Sequence, residues 1–176
     1  EPTGGPDLRP PVSAVGSVGF GIFGLGVIAD FHARAIAGLS GARLAAVATR
    51  NPGKARAFAL QHGVPFAGTS IDELVARPDV DVVCITTSSG AHLAPALAAI
   101  RAGKHIVIEK PIEITTGRVD EILRAADVAG VRVAPIFQGR FGDGARTVKA
   151  ALESGRFGSL VLASAYVKWH RTAEYY

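Results

Sequence analysis

From Val18 onward, continuously apolar runs alternate with longer stretches of helical period, and this rhythm restricts the fold more than any other feature of the chain. The runs are SVGFGIFG, ARLAAVAT, VDVVCITT, KHIVIEK and VRVAPIF, and the stretches between them cover residues 27–39, 52–62, 91–102 and 117–129. A strand that is apolar at every position, rather than at every second one, has both faces covered. Such strands separated by helices form a parallel sheet, and right-handed crossovers wind it in both directions. The expected fold class is therefore α/β, a doubly wound parallel sheet. Helix punctuation agrees: Asn51 stands where it can cap a helix with Pro52 at its first position, and Gly63, Gly103 and Gly130 stand at helix ends.

Composition removes several function classes. With 48% hydrophobic and 19% charged residues among 176, the chain is too apolar to be disordered and long enough for one domain with a sizeable core. The net charge of +4 is scattered, with no run of like charges of the kind a nucleic-acid arm carries, so no nucleic-acid partner is expected. No apolar run reaches the length of a membrane span, and none of the first residues forms a signal-peptide core, so no membrane partner is expected either. A single cysteine, Cys84, excludes an internal disulfide and suits a reducing compartment; the expected location is the cytoplasm. No cluster of side chains has metal-ligand spacing, and no metal is expected.

The first strand runs into a turn that carries chemistry. GIFGLGVIADFHARAI sets Gly24, Gly26 and Ala29 in G-x-G-x-x-A spacing where a strand passes into a helix. The first glycine makes the tight turn, the second lets a pyrophosphate approach the backbone, and the small third residue lets helix pack on strand. Gly24, Leu25, Gly26, Val27 and Ile28 are thus candidate contacts of a dinucleotide; the alternative is a glycine turn that merely packs closely. The second strand ends AVATRN, with Thr49 where an acid gripping the ribose diol of NAD would be sought, and Arg50 next to it. A carboxylate would repel a 2′-phosphate, whereas arginine pairs with one in a bidentate fork, and Lys54 stands one turn into the next helix. NADP is therefore favoured over NAD, against the alternative that Arg50 stacks on adenine or lies in solvent.

Ligands of an open α/β sheet bind beyond the carboxyl ends of its strands. Three expected strand ends carry polar groups there: Thr86 to Ser89, then Glu109, Lys110 and Pro111, then Gln138. Taken alone, Glu109 and Lys110 also fit a solvated turn with a surface ion pair. The segments GLGVIADFHARAI, DVVCITTSSGAHLAPALAAIRAGKHIVIEKP and VAPIFQGRF together closely resemble the family of glucose-fructose oxidoreductase, inositol dehydrogenase and the rhizopine catabolism protein, written Gfo/Idh/MocA. The resemblance covers residues 18–176.

What the resemblance implies is an NAD(P)-dependent oxidoreductase acting on sugars, nucleotide-sugars or polyols. Its N-terminal Rossmann domain would be followed by a C-terminal α/β domain whose open sheet covers the active site and forms a homo-oligomer interface. Lys110 would be the active-site lysine, bonding the substrate oxygen and shuttling its proton, with Glu109 orienting it or touching the nicotinamide ribose, and Pro111 in the cis form. Thr86, Thr87 and Ser88 match the loop passing the cofactor's ribose and pyrophosphate, although the family commonly has proline where Ser88 or Ser89 stands here. His92 matches a cofactor-side histidine, with helix capping or packing as the other reading. Gln138 matches a polar residue near the nicotinamide carboxamide. Arg140 would fix the loop into the second domain. Trp169 and Arg171 would face the substrate or nicotinamide, with core packing the alternative for Trp169. The family's further catalytic groups have no counterpart in this chain.

The rhythm changes after Phe137. Residues 143–154 read as one more helix and SLVLASAYVKWH, 159–170, as a longer strand. An unpaired strand is not stable, so the tail is expected to open a second α/β domain whose remainder is absent. The expected organisation is a leader over 1–17 that is disordered or a remnant, a dinucleotide-binding Rossmann domain over 18–138, and the start of a substrate and oligomerisation domain over 139–176. The chain contains no methionine and is expected to be processed, trimmed or incomplete. Cys84 reads as a buried thiol, and His62 as a helix C-terminal residue facing the dipole. The expected function is hydride transfer between nicotinamide and a sugar or polyol; the alternative is a non-catalytic NAD(P)-binding sensor.

Overall fold

A computed structural model describes residues 16–175; most of the expected leader, and Tyr176, lie outside the described residues. Six strands form one parallel sheet in the order β3-β2-β1-β4-β5-β6. They are β1 (Val18–Phe23), β2 (Ala42–Ala48), β3 (Phe66–Gly68), β4 (Val82–Ile85), β5 (His105–Ile108) and β6 (Val133–Pro135). The helices between them are α1 (Val27–Ala37), α2 (Pro52–His62), α3 (Ile71–Val75), α4 (Leu93–Arg101) and α5 (Thr116–Ala129). Strand order reverses beside β1: the chain moves outward through β2 and β3, returns, and moves outward the other way through β4, β5 and β6.

The continuous apolar runs are explained by two cores, one on each face. In β4, Cys84 points into a cluster with Ile22, Ala29, Ala33, Ile36 and Phe58, which α1 and α2 cover. Its neighbours Val83 and Ile85 point into the opposite cluster, with Leu74, Ile100, Ile106, Ile108 and Ile122 from the side of α3, α4 and α5. Both faces of the central strands are covered by a core, and β4 is buried at every position, so no polar alternation survives in them.

Local signals terminate the helices as expected. The Asn51 side chain accepts from the Lys54 N–H at 3.0 Å with Pro52 in the first turn, and Gly63, Gly103 and Gly130 all have positive φ. His62 occupies the last turn of α2, where its ring packs tilted against Phe58 of the same helix at 4.4 Å between centroids and places Nε2 3.1 Å from Asp30 Oδ1 on α1. β3 and α3 were not expected from the sequence. Three and five residues are too few to show a period.

A second compact unit runs from Gln138. It contains a 3₁₀ turn (Gln138–Phe141), helix α6 (Asp143–Glu153) and a final 3₁₀ turn (Ala173–Tyr175). The helix expected at 143–154 is present. The strand expected at 159–170 is not: residues 160–172 have no regular structure, and Leu160, Val161, Leu162, Tyr166, Val167 and Trp169 are all exposed. An apolar run alone does not make a strand: with no ladder hydrogen bonds to it among the described residues, nothing offsets the entropy of extension.

Candidate functional site

Parallel register brings the ends of the strands into one row. Each residue just past a strand donates its N–H to the last residue of the neighbouring strand: Gly24 to Ala48 at 3.0 Å, Thr86 to Phe23 at 2.9 Å, Glu109 to Ile85 at 3.1 Å and Ile136 to Ile108 at 2.9 Å. Thr49 continues the row by donating to Gly68 at 3.3 Å. Thr49, Gly24, Thr86 and Glu109, which lie in separate segments of the sequence, therefore stand side by side along the carboxyl edge.

The centre of this row is the point where strand order reverses, between β1 and β4. Gly24 has φ +96°, and a Cβ there would lie 2.7 Å from Thr87 N and 2.9 Å from Thr86 C, so no other residue fits the turn. The Thr86 hydroxyl donates to Gly24 O at 2.6 Å and approaches Phe23 O at 3.2 Å, tying the two loops together. Thr87 Oγ1 donates to Ala91 O at 3.0 Å. Both hydroxyls thus shape the loops, while Ser88 is exposed.

Between these loops lies a crevice of about 480 Å³, lined by Gly24, Gly26, Thr49, Arg50, Lys54 and Ser88 among others. Gly26 is the N-cap of α1 and supplies no side-chain cap, so the first-turn N–H groups and the positive end of the helix face outward. Open space lies where a Cβ of Gly26 would be. Arg50 and Lys54 add two cations at the β2 edge. This donor set fits the phosphates of a dinucleotide: an uncapped helix start, a backbone that can be approached closely, and cations beside it. Leu25, which is 3% exposed, packs in the core beneath the crevice; Val27 is exposed, and Ile28 is partly buried. A second hollow of about 670 Å³ shares Gly26 and Lys54 but also carries the Asp30 carboxylate, which pairs with Arg34 and would repel phosphate.

At the end of β5 the charges are treated unequally. Glu109 is buried at 6% exposure, while Lys110 is exposed. Glu109 Oε2 accepts from the Lys110 N–H at 3.1 Å, and Oε1 lies 2.9 Å from Nε2 of His32 on α1. The Lys110–Pro111 peptide is cis, in agreement with what the resemblance implies. His92 is 1% exposed, and its ring spans two loops: Nδ1 lies 2.9 Å from Pro111 O, and Nε2 lies 3.0 Å from Thr87 O. The buried Glu113 completes the cluster. Its Oε1 accepts from the N–H groups of His92 and Leu93, both at 3.3 Å, and so caps α4 from across the fold. Burial pushes the Glu113 carboxyl up, but hydrogen bonds from Ile114 and Leu93 and the Arg118 guanidinium outweigh it and hold the group below its ordinary value.

Cys84 is the buried thiol expected from the sequence: burial first, and then the Glu109 charge, push it up to about 12, which removes it from chemistry at neutral pH. Two site residues, His32 and Glu113, were not singled out from the sequence. His32 had a signal, since it lies on the Ala29–Ala33–Ile36 stripe that α1 buries, where a histidine needs a partner. Gln138, Trp169 and Arg171 belong to the second unit, where the Arg171 guanidinium lies 5.0 Å from the Trp169 ring. Among the described residues no cluster could hold a metal ion, and no helix is long and apolar enough to cross a membrane.

A family described as an oxidoreductase family with an NAD-binding Rossmann fold, Gfo/Idh/MocA, matches residues 18–137. The chain belongs to this family. Two relatives of this Gfo/Idh/MocA chain are the 1,5-anhydro-D-fructose reductase of Ensifer adhaerens, 31% identical, and the inositol 2-dehydrogenase of Rhizobium meliloti, 34% identical. Each alignment covers 84% of this chain and 44% of the relative, so the chain spans less than half the length of these proteins. Among solved structures, the WlbA dehydrogenase from Bordetella pertussis in complex with NADH and UDP-GlcNAcA superposes with a TM-score of 0.77 at 32% identity, covering 81% of this chain and 44% of that one. The scyllo-inositol dehydrogenase from Lactobacillus casei with bound NAD(H) and scyllo-inositol gives 0.75 at 29% identity, covering 81% and 42%.

Proposed function

We propose that this chain is the cofactor half of an NAD(P)-dependent oxidoreductase acting on a sugar, nucleotide-sugar or polyol, with Lys110 as its active-site lysine. The observation that carries the reading is the row of strand ends, which puts the uncapped start of α1 and the Lys110 loop on one edge of one sheet. Relatives named as reductases and dehydrogenases of anhydrofructose and inositol support the substrate class.

A dinucleotide would lie along that edge. Gly24 and Gly26 would admit its pyrophosphate to the backbone, the 86–88 loop would pass its ribose, and Arg50 with Lys54 would hold a 2′-phosphate, which favours NADP. Bound there, the cofactor would accept or donate hydride at its nicotinamide ring. Lys110 would bond the substrate oxygen, taking the hydroxyl proton as the carbon is oxidised and returning it to the carbonyl oxygen in the reverse direction. Glu109 would act on the lysine through its backbone N–H. The tightly buried His92 would act by holding the cofactor loop and the lysine loop together. Gln138, Trp169 and Arg171 would serve the nicotinamide and substrate side, in a domain beginning near residue 139 that also mediates homo-oligomerisation in the cytoplasm.

The deciding experiment compares the parent protein with its Lys110→Ala variant across inositols and sugars with either cofactor. Turnover should fall by about a thousandfold with cofactor affinity kept. Binding of dinucleotide without turnover of any polyol or sugar, and a variant altered only in nucleotide affinity, would leave the sensor reading in its place.

A further inference from the structure

Lys110 is held by its backbone rather than by its side chain, and the hold begins on a different element. Glu109 lies inside the protein, and both of its oxygens are used: Oε2 takes the Lys110 N–H at 3.1 Å, and Oε1 takes Nε2 of His32 at 2.9 Å. A carboxylate only accepts, so the contact sets the ring proton on Nε2. The His32 side chain is 13% exposed and that of Glu109 8%. A buried carboxyl oxygen that lost its donor would have to rotate toward water or remain unsatisfied, at substantial cost either way. Rotation would take Oε2 from the Lys110 N–H as well, because the two oxygens share one rigid plane.

We propose that His32 is a positioning residue for Lys110, acting through Glu109. α1 carries His32 less than two turns beyond its own uncapped start, so one helix presents donors to the crevice at its tip and fixes the lysine loop from its flank. On the far side of the lysine, the Pro111 carbonyl is held by His92 at 2.9 Å. The main chain is thereby gripped before and after Lys110, and the exposed side chain starts from a fixed peptide. The consequence for turnover rests on Lys110 being the active-site lysine; the grip on the peptide does not.

The test uses the full chain and reads two quantities. Amide hydrogen exchange followed by NMR should show the Lys110 N–H exchanging about tenfold faster in His32→Ala, with no change at the Ile106 ladder amide. His32→Gln, which returns a neutral N–H donor at similar reach, should restore protection. An unchanged Lys110 amide, an equal rise at Ile106, or a Gln variant no better than Ala overturns the proposal. In a parent protein that turns over substrate, kcat should fall about tenfold in His32→Ala with the cofactor KM unchanged and should recover in His32→Gln. An unchanged kcat also overturns it. If exchange responds as stated but the parent protein oxidises no polyol or sugar, the grip on Lys110 stands and the enzymatic reading alone fails.

Discussion

Arg50 and Thr49 show how much a single position at a strand end can determine. Both follow β2 at the carboxyl edge, and Arg50 is exposed in the crevice with Lys54 near it. An acid at Thr49 would favour a free ribose diol; a guanidinium beside it favours a phosphate. Replacing Arg50→Asp should weaken NADPH binding by about tenfold or more, close to 1.4 kcal/mol, and leave NADH binding nearly unchanged in a fluorescence titration. Equal NADPH affinity in the variant would remove the 2′-phosphate role. The sequence made this position visible because a strand end and its following residue are neighbours in the chain. The partner of Glu109 was not visible in that way, since His32 lies 77 residues earlier.

At the level of elements, helix starts divide into those capped locally and those capped from afar. Asn51, Ser70 and Thr115 each cap their own helix, and each is readable as a motif. α4 begins at His92, whose side chain makes no cap bond; the buried Glu113 from the loop after β5 does that work. Because the Glu113 carboxyl is held below its ordinary value of 4.5, its contribution to stability is present above pH 4.5 and is lost as pH falls through the lower native value. Glu113→Gln should therefore cost about 1 kcal/mol at neutral pH and flatten the acid side of the stability profile, as measured by denaturant midpoints between about pH 7 and about pH 3. A variant with the wild-type acid slope would show that the cap carries no such linkage. The same paired carboxylate joins α4 to the lysine loop, so loss of the cap should also loosen the 86–91 segment.

For the whole molecule, the two-faced core sets what can open. Cys84 sits in the middle of β4, between β1 and β5, and packs into the α1–α2 cluster. No local fraying exposes it, and its thiol is pushed up to about 12, so alkylation requires the sheet to part. Native protein should label with iodoacetamide at least about a thousandfold more slowly than unfolded chain, at a rate that follows global unfolding. Rapid labelling at neutral pH would mean that the β4 region opens independently. The second unit obeys different rules: its large apolar side chains, including Phe141, Phe157 and Trp169, are exposed, and α6 has no buried residue.

Apolar periodicity and turn residues determined the fold class, the glycine turn at the start of α1, and the lysine at the end of β5. Each depends on residues adjacent in the chain and on a rhythm that burial on two faces imposes. Tertiary structure alone decided what touches what. Parallel register aligned Thr49, Gly24, Thr86 and Glu109; His32 and Glu113 became partners of loops far along the chain; and among the described residues 159–170 pairs with no strand despite its apolar run. Hydrogen-bond partners of buried groups are chosen by three-dimensional proximity, which no local pattern encodes.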